Sequence, residues 1–290
     1  MLQFHRVEIE DRDRLLPLLT EKDRGCEYTF SNIYLYRDIY DASVAYREDA
    51  AVVSFGHTGS YLMPVGCCDL EEIVSELPAR EDGTYSFVCI TEEDTNRLRD
   101  AFPGRIVSVT AQDDSEYVYS AEDLAELKGK KYHAKRNFCS RFERLNPGYE
   151  FETITEDNIA EVSAMNEEWY SVRRDSGLDL SADYACSSGA LREFRELGLI
   201  GALISVSGKV VAWCCGEMIS EGVFCTHVEK AFGDMEGDYA VINRDFARML
   251  RDRFELINRE DDAGDEGLMR AKLSYHPVYT LKKNTVVILS

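Results

Sequence analysis

The chain has 290 residues, 44% hydrophobic and 11% aromatic, an ordinary globular composition that excludes a disordered or coiled-coil protein. A formal net charge of −21 repels nucleic acid phosphates and anionic headgroups, so neither DNA nor a lipid surface is an expected partner. The longest apolar stretch, Leu199 to Val206, is broken by Gly201 and Ser205 and is too short to cross a bilayer, so a cytoplasmic chain without membrane insertion is expected.

Domains of roughly 100–200 residues make two lobes the natural expectation at this length. Residues Cys26 to Tyr40, with Tyr28, Phe30, Tyr34, Tyr36 and Tyr40, read as one amphipathic helix entering a core. Val44 to Tyr46, Ala51 to Phe55 and Tyr61 to Met63 are short apolar runs, separated by Glu48-Asp49 and His57-Thr58-Gly59, the pattern of an antiparallel meander. Leu70, Ile73, Val74 and Leu77 recur at helical spacing. A strand over Tyr85 to Ile90, a helix started by Thr91 and running to Phe102, and strands near Ile106 to Val109 and Tyr117 to Tyr119 complete a first α/β unit.

A second unit begins with a helix from about Lys131 to Leu145, stopped by Asn146-Pro147-Gly148, and continues with a strand over Tyr149 to Ile154. Thr155 is the expected N-cap of a helix whose buried face carries Ile159, Val162, Met165, Trp169 and Val172 and which ends near Arg174. Leu199 to Val206 and Val210 to Ile219 flank the hairpin signal Ser207-Gly208-Lys209, and a further strand spans Val223 to Lys230. A helix with Tyr239, Ile242, Phe246, Met249 and Leu250 follows, then a strand over Phe254 to Asn258. The expected class is α/β (α+β) with mixed, largely antiparallel sheets, divided into residues 1–118 and 119–290.

Nine cysteines without a C-x-x-C or His/Cys ligand spacing argue against a zinc site, and most should be reduced, buried, small apolar residues. In Lys230-Ala231-Phe232-Gly233-Asp234-Met235-Glu236-Gly237, Gly233 and Gly237 lie between a strand and a helix, where free N–H groups and the helix dipole favour a phosphate. Lys230 stands at its edge. Asp234, Glu236 and Asp238 make a plain capped turn the competing reading. Strict alternation places Cys225, His227 and Glu229 on one face of the preceding strand, where His227 or Glu229 would take a proton from an attacking amine, unless they form a structural polar pair.

From Lys128 to Arg144 the chain carries seven basic residues against Glu143 alone, locally +6 in a remainder of −27. A solvated face paired with acidic neighbours is one reading, and an anion site built on Lys130, Lys131, Lys135, Arg136 and Asn137 is the other. The acidic stretch after Asn258 leads into Gly267-Leu268, Lys272, Tyr275 and Pro277. That pattern, with the basic segment and the phrase His227-Val228-Glu229-Lys230, resembles the catalytic domains of phosphatidylglycerol lysyltransferases and, more distantly, Fem-type aminoacyltransferases.

The resemblance covers most of residues 120–290 and implies two tandem N-acetyltransferase-like (GNAT-like) halves. It implies transfer of an acyl or aminoacyl group from an acyl-CoA or an aminoacyl-tRNA to an amine or hydroxyl of a small-molecule acceptor, with no permanently bound cofactor. Lys272 matches the lysine that sits beside the reacting carbonyl in Fem-type relatives, where an ammonium stabilises the oxyanion. Its alternative is a structural pairing with Asp261 or Asp262. Asn258 and Tyr275 would line the substrate side, Tyr275 chiefly by packing. The 290 residues read here contain no counterpart of the membrane-spanning half of the lipid-modifying relatives, so a lipid acceptor is not the expectation. A non-catalytic protein of the same fold, binding an anionic metabolite or a protein, is the alternative function, since fold does not carry activity with it. Nucleic-acid binding through the basic helix is a third, marked by steep salt dependence.

Overall fold

The computed structural model describes residues 1–56, 59–113, 115–174 and 179–290. A short strand β1 (His5–Arg6) and helix α1 (Arg12–Leu19) precede the aromatic segment, which is a 3-10 turn over Cys26–Tyr28, then α2 (Phe30–Leu35) and α3 (Arg37–Tyr40), not one helix. The break is at Thr29, whose extended backbone cannot continue a helix and whose hydroxyl caps α2 by accepting the Asn32 N–H at 3.3 Å. Tyr28, Phe30 and Tyr34 are core as expected, whereas Tyr40 is 48% exposed.

The meander forms as β2 (Ala42–Arg47), β3 (Ala50–Phe55) and β4 (Ser60–Tyr61), with β5 (Val65–Gly66) folding back on β3. Of the turn read at His57-Thr58-Gly59, only Gly59 falls among the described residues. Then come α4 (Leu70–Ser75), β6 (Thr84–Ile90), α5 (Glu92–Ala101) and β7 (Ile106–Ala111); Thr91 caps α5 by accepting the Asp94 N–H.

The second half runs β8 (Glu116–Ser120), α6 (Ala121–Glu126), a 3-10 turn at Lys130–Tyr132, α7 (His133–Leu145), β9 (Glu150–Thr153), α8 (Ile159–Arg173) and α9 (Ser181–Arg192). The hairpin β10 (Ile200–Val206) and β11 (Lys209–Ser220) turns through Ser207 and Gly208, both at positive φ. It leads to β12 (Val223–Ala231), α10 (Asp238–Leu250), β13 (Leu256–Asn258), α11 (Glu266–Leu273), β14 (Tyr279–Leu281) and β15 (Asn284–Leu289). Helix α8 starts at Ile159 rather than at Thr155, because the Asn158 side chain accepts the Thr155 N–H at 2.8 Å and closes the turn the other way round. Its expected face holds at Val162, Met165 and Trp169, while Val172 is 69% exposed.

Two mixed, largely antiparallel sheets result. The first is ordered β1-β2-β3-β4-β6-β15-β7 and the second β14-β8-β13-β12-β11-β10-β9. In the second, among the described residues, only β12 and β13 pair in parallel, through the α10 crossover, which is the strand, loop, helix, strand order read from the sequence. Both faces of the second sheet are covered. One packs against α6, α7 and α10 through Tyr119, Phe142, Cys214, Phe224 and Phe246. The other joins the first sheet in a shared core that includes Val53, Phe87, Ile288, Trp213 and Val228. The division read between residues 118 and 119 falls inside β8, a strand of the second sheet, and the last strand of the chain lies in the first.

Candidate functional site

Strands β12 and β13 pair from Val223 with Leu256 to Cys225 with Asn258, after which β12 continues to Ala231 while the chain leaves β13. The register of β12 against β11 slips at this point: Thr226 faces Gly216 and Val228 faces Cys215, so His227 is the extra residue of a β-bulge. Gly216 permits the bulge, since a Cβ there would lie 1.7 Å from the Cys225 carbonyl oxygen. Beyond the bulge the alternation is shifted by one. His227 stays with Cys225 and Glu217, whereas Glu229 turns to the α10 face, correcting the expectation that they share a face.

Two consecutive residues after β13 bridge to these two side chains. On the α10 face the Arg259 guanidinium donates to Glu229 at 2.7 Å, and Asn243 of α10 donates to the other Glu229 oxygen at 3.1 Å. Arg259 lies over the rings of Tyr275 and Tyr119, at 4.9 and 5.6 Å. Lys135 of α7 sits over the same Tyr275 ring at 3.8 Å; burial, reinforced by Arg259, depresses its pKa to about 8. Lys272 of α11 is 8% exposed and donates to the carbonyls of Arg259, at 2.5 Å, and Asp261. Burial and then Arg259 depress its pKa as well. It pairs with backbone oxygens rather than with the carboxylates of Asp261 or Asp262.

On the opposite face the His227 ring lies between two carboxylates, Nδ1 at 2.8 Å from Glu260 and Nε2 at 3.2 Å from Glu217. Burial disfavours a charge on the ring, yet contacts with Cys225, Glu217 and Glu260 raise its pKa well above the usual 6.5. Burial also pushes the Cys225 thiol up and so keeps it protonated, which leaves the two carboxylates as the groups that hold the imidazolium. The Ser31 N–H donates to Glu217 and the Asn32 side chain to Glu260, so helix α2 of the first half closes over this triad.

Other expected site residues lie elsewhere. Lys230 is buried over Trp169 at 4.3 Å and donates to Asp183 at 2.6 Å. In the glycine loop the Asp238 carboxylate accepts the N–H groups of Gly233 and Tyr239, both at 2.7 Å, the arrangement of a capped turn. Gly237 is required for packing, because a Cβ would meet the Phe138 carbonyl oxygen at 2.3 Å. On the basic segment Lys131 pairs with Asp123, Lys128 with Glu122 and Glu126, and Arg141 with Glu236, the solvated-face reading. Arg136 donates to the carbonyls of Leu127 and Gly129 at the end of α6, while Lys130 and Asn137 are exposed. Asn258 is buried, donating to Glu116 and accepting the Glu260 N–H. The structure therefore gathers Lys135, Glu229, Lys272 and Tyr275, and the residue that gathers them, Arg259, was not singled out from sequence although it follows Asn258 directly.

A second buried charge cluster joins the halves. Lys283, between β14 and β15, has no exposed surface and donates to Glu27 and, at 3.0 Å, to Glu116 of β8. The Cys26 N–H donates to both Glu116 oxygens. No sequence pattern marked Lys283.

All nine cysteines are free thiols and seven are buried, as expected. Among the described residues no helix is long and apolar enough to cross a membrane.

Comparison with known proteins adds the family. The family described as phosphatidylglycerol lysyltransferase, C-terminal, matches residues 20–286. A conserved protein of unknown function from Bacteroides thetaiotaomicron is similar in structure with a TM-score of 0.92 and 35% identity, over 99% of this chain and 100% of that one. The C-terminal domain of a putative lysylphosphatidylglycerol synthetase from Agrobacterium fabrum aligns with a TM-score of 0.66 at 17% identity, covering 96% and 92% of the two chains. FemX aligns with a TM-score of 0.60 at 8% identity over 99% and 97%. These last two likenesses show the fold alone. No curated protein matches. With the family matched over nearly the whole length, the chain belongs to the phosphatidylglycerol lysyltransferase C-terminal domain family.

Proposed function

We propose that the protein is an aminoacyltransferase that moves an aminoacyl group from aminoacyl-tRNA to an amine or hydroxyl of a small-molecule acceptor, at the Arg259 cluster. The new bond joins the acceptor atom to the acyl carbon, the ester to the terminal ribose breaks, and the acceptor's proton ends on the ribose hydroxyl. The carrying observation is that Lys135 and Arg259 converge on the Tyr275 ring, with Lys272 bonded to the Arg259 carbonyl beside them, in a chain of net charge −21. Such a group suits the phosphates and stacked base of a tRNA end. Glu229 and Asn243 act as positioning residues, holding Arg259. Lys272 has a third N–H beyond its two carbonyl bonds, the donor available to a developing oxyanion.

Family membership supports the reaction class, and the names of two relatives, lysylphosphatidylglycerol synthetase and FemX, point to aminoacyl chemistry. The acyl-CoA alternative is disfavoured because the Asp238 carboxylate already accepts the Gly233 N–H of the glycine loop. The test is to incubate the chain at low salt with tRNA charged with a mixture of labelled amino acids and a small-molecule extract. Label should leave the tRNA for a new product, and Lys135→Met should slow this at least roughly tenfold. Undiminished charged tRNA together with saturable micromolar acetyl-CoA binding by calorimetry would replace this reading with the acyl-CoA one.

A further inference from the structure

We propose that Cys225, His227 and Glu260 form a binding site for one divalent transition-metal ion of the zinc class, independently of the transferase reading. Three unlike donor atoms converge on the side of β12 away from Arg259. Cys225 Sγ is 3.6 Å from His227 Nδ1 and 3.8 Å from Glu260 Oε1, and Nδ1 is 2.8 Å from that oxygen. A tetrahedron with ordinary zinc bond lengths has edges of roughly 3.3–3.6 Å, so the first separation already suits it, the second has to close by about 0.2 Å and the third has to open by about 0.5 Å. Glu260 can supply that movement, its side chain being 26% exposed.

The surroundings have the second layer that a metal-bound imidazole requires. The other ring nitrogen, Nε2, faces Glu217 at 3.2 Å, and the Glu217 oxygen is fixed in turn by the Ser31 N–H at 2.9 Å. A carboxylate on the far nitrogen sets the tautomer that leaves Nδ1 free for a metal. The ion binds the thiolate and the unprotonated Nδ1, so the Cys225 proton, and any proton on Nδ1, leaves as it enters. The fourth tetrahedral position is left to water or to a bound oxygen.

The other grouping of this kind, Cys26, Glu27 and Glu116, shows the contrast, because the Lys283 ammonium already occupies it as an internal cation. These donors follow neither a C-x-x-C nor an ordinary His/Cys ligand spacing: Cys225 and His227, two residues apart, share one side of β12, and the third donor comes from the chain after β13.

The experiment is a Co2+ titration of the full, untagged, chelator-treated chain. One equivalent should produce a thiolate-to-cobalt absorption in the near ultraviolet together with strong visible bands of tetrahedral cobalt, and Zn2+ should abolish both. Cys225→Ala should lose the thiolate band while far-ultraviolet circular dichroism stays at the parent level. Glu217→Gln should keep the band and weaken affinity roughly 10–100-fold. The parent titration alone decides against the site if no thiolate band develops. A band that survives Cys225→Ala, or vanishes in Cys67→Ser, the exposed thiol, overturns the proposal equally.

Discussion

Lys272 holds the acidic turn by donating to the Arg259 and Asp261 carbonyls, and this structural duty is separable from chemistry. Lys272→Met keeps most of the stem and leaves buried acceptors without a donor, at a cost of roughly 1–3 kcal/mol. Urea unfolding should show that loss while the circular dichroism of the native state is retained; a variant as stable as the parent would mean the carbonyls find water instead. Lys135 gives the complementary test. Its folded pKa near 8 lies below the usual 10.5, so its cation is fully present below about 8 and is lost as pH rises through that value. Donor affinity should therefore fall by about tenfold between pH 7 and 9, and Lys135→Arg, whose charge persists, should flatten that dependence in parallel titrations. Lys135, Glu229, Lys272 and Tyr275 were legible because a family pattern or a charge run drew attention to them. Arg259 and Lys283 were not, because each matters only through partners distant in sequence: Glu229 and Tyr275 for one, Glu27 and Glu116 for the other.

At the scale of the element, the meander, the β10–β11 hairpin and the order around α10 were readable because apolar period and turn residues agree there. Strand β12 was read as strictly alternating, and the failure has a location. An inserted residue shifts every later side chain to the other face, and the only local sign of it is a glycine on the neighbouring strand. Gly216→Ala should then be far more costly than alanine at an ordinary strand glycine. The added Cβ would lie 1.7 Å from the Cys225 carbonyl oxygen, which cannot give way without opening the ladder, and a loss of at least about 3 kcal/mol in denaturant unfolding is expected. Gly208→Ala serves as a control for positive φ without a clash: nothing lies within 4 Å of its added Cβ, and it should cost only about 1 kcal/mol. If the two variants cost the same, close approach at Gly216 is not what fixes the bulge.

At the scale of the molecule, the sequence suggested two lobes in series, and the strand order joins them. Strand β15, the last element of the chain, lies between β6 and β7, and its Val286 and Ile288 are fully buried in the first sheet. The chain before it carries Lys283 into the cluster with Glu27 and Glu116, where removing the ammonium would leave a fully buried Glu116 facing Glu27. A fragment of residues 1–118 lacks an interior strand of its own sheet and keeps the first three residues of β8, which belongs to the other. A fragment of residues 119–290 has β15 with no partner and keeps only Tyr119 and Ser120 of β8, on which both β13 and β14 pair. Neither should fold alone, and the intact chain should unfold in one transition by circular dichroism and by calorimetry. Fusing residues 282–290 ahead of residue 1 through a flexible linker should make residues 1–113 soluble and cooperatively folded, because it returns the missing strand without the second sheet. Should residues 1–118 fold unaided, β15 is a late addition to a self-sufficient first lobe and the boundary read from the sequence stands.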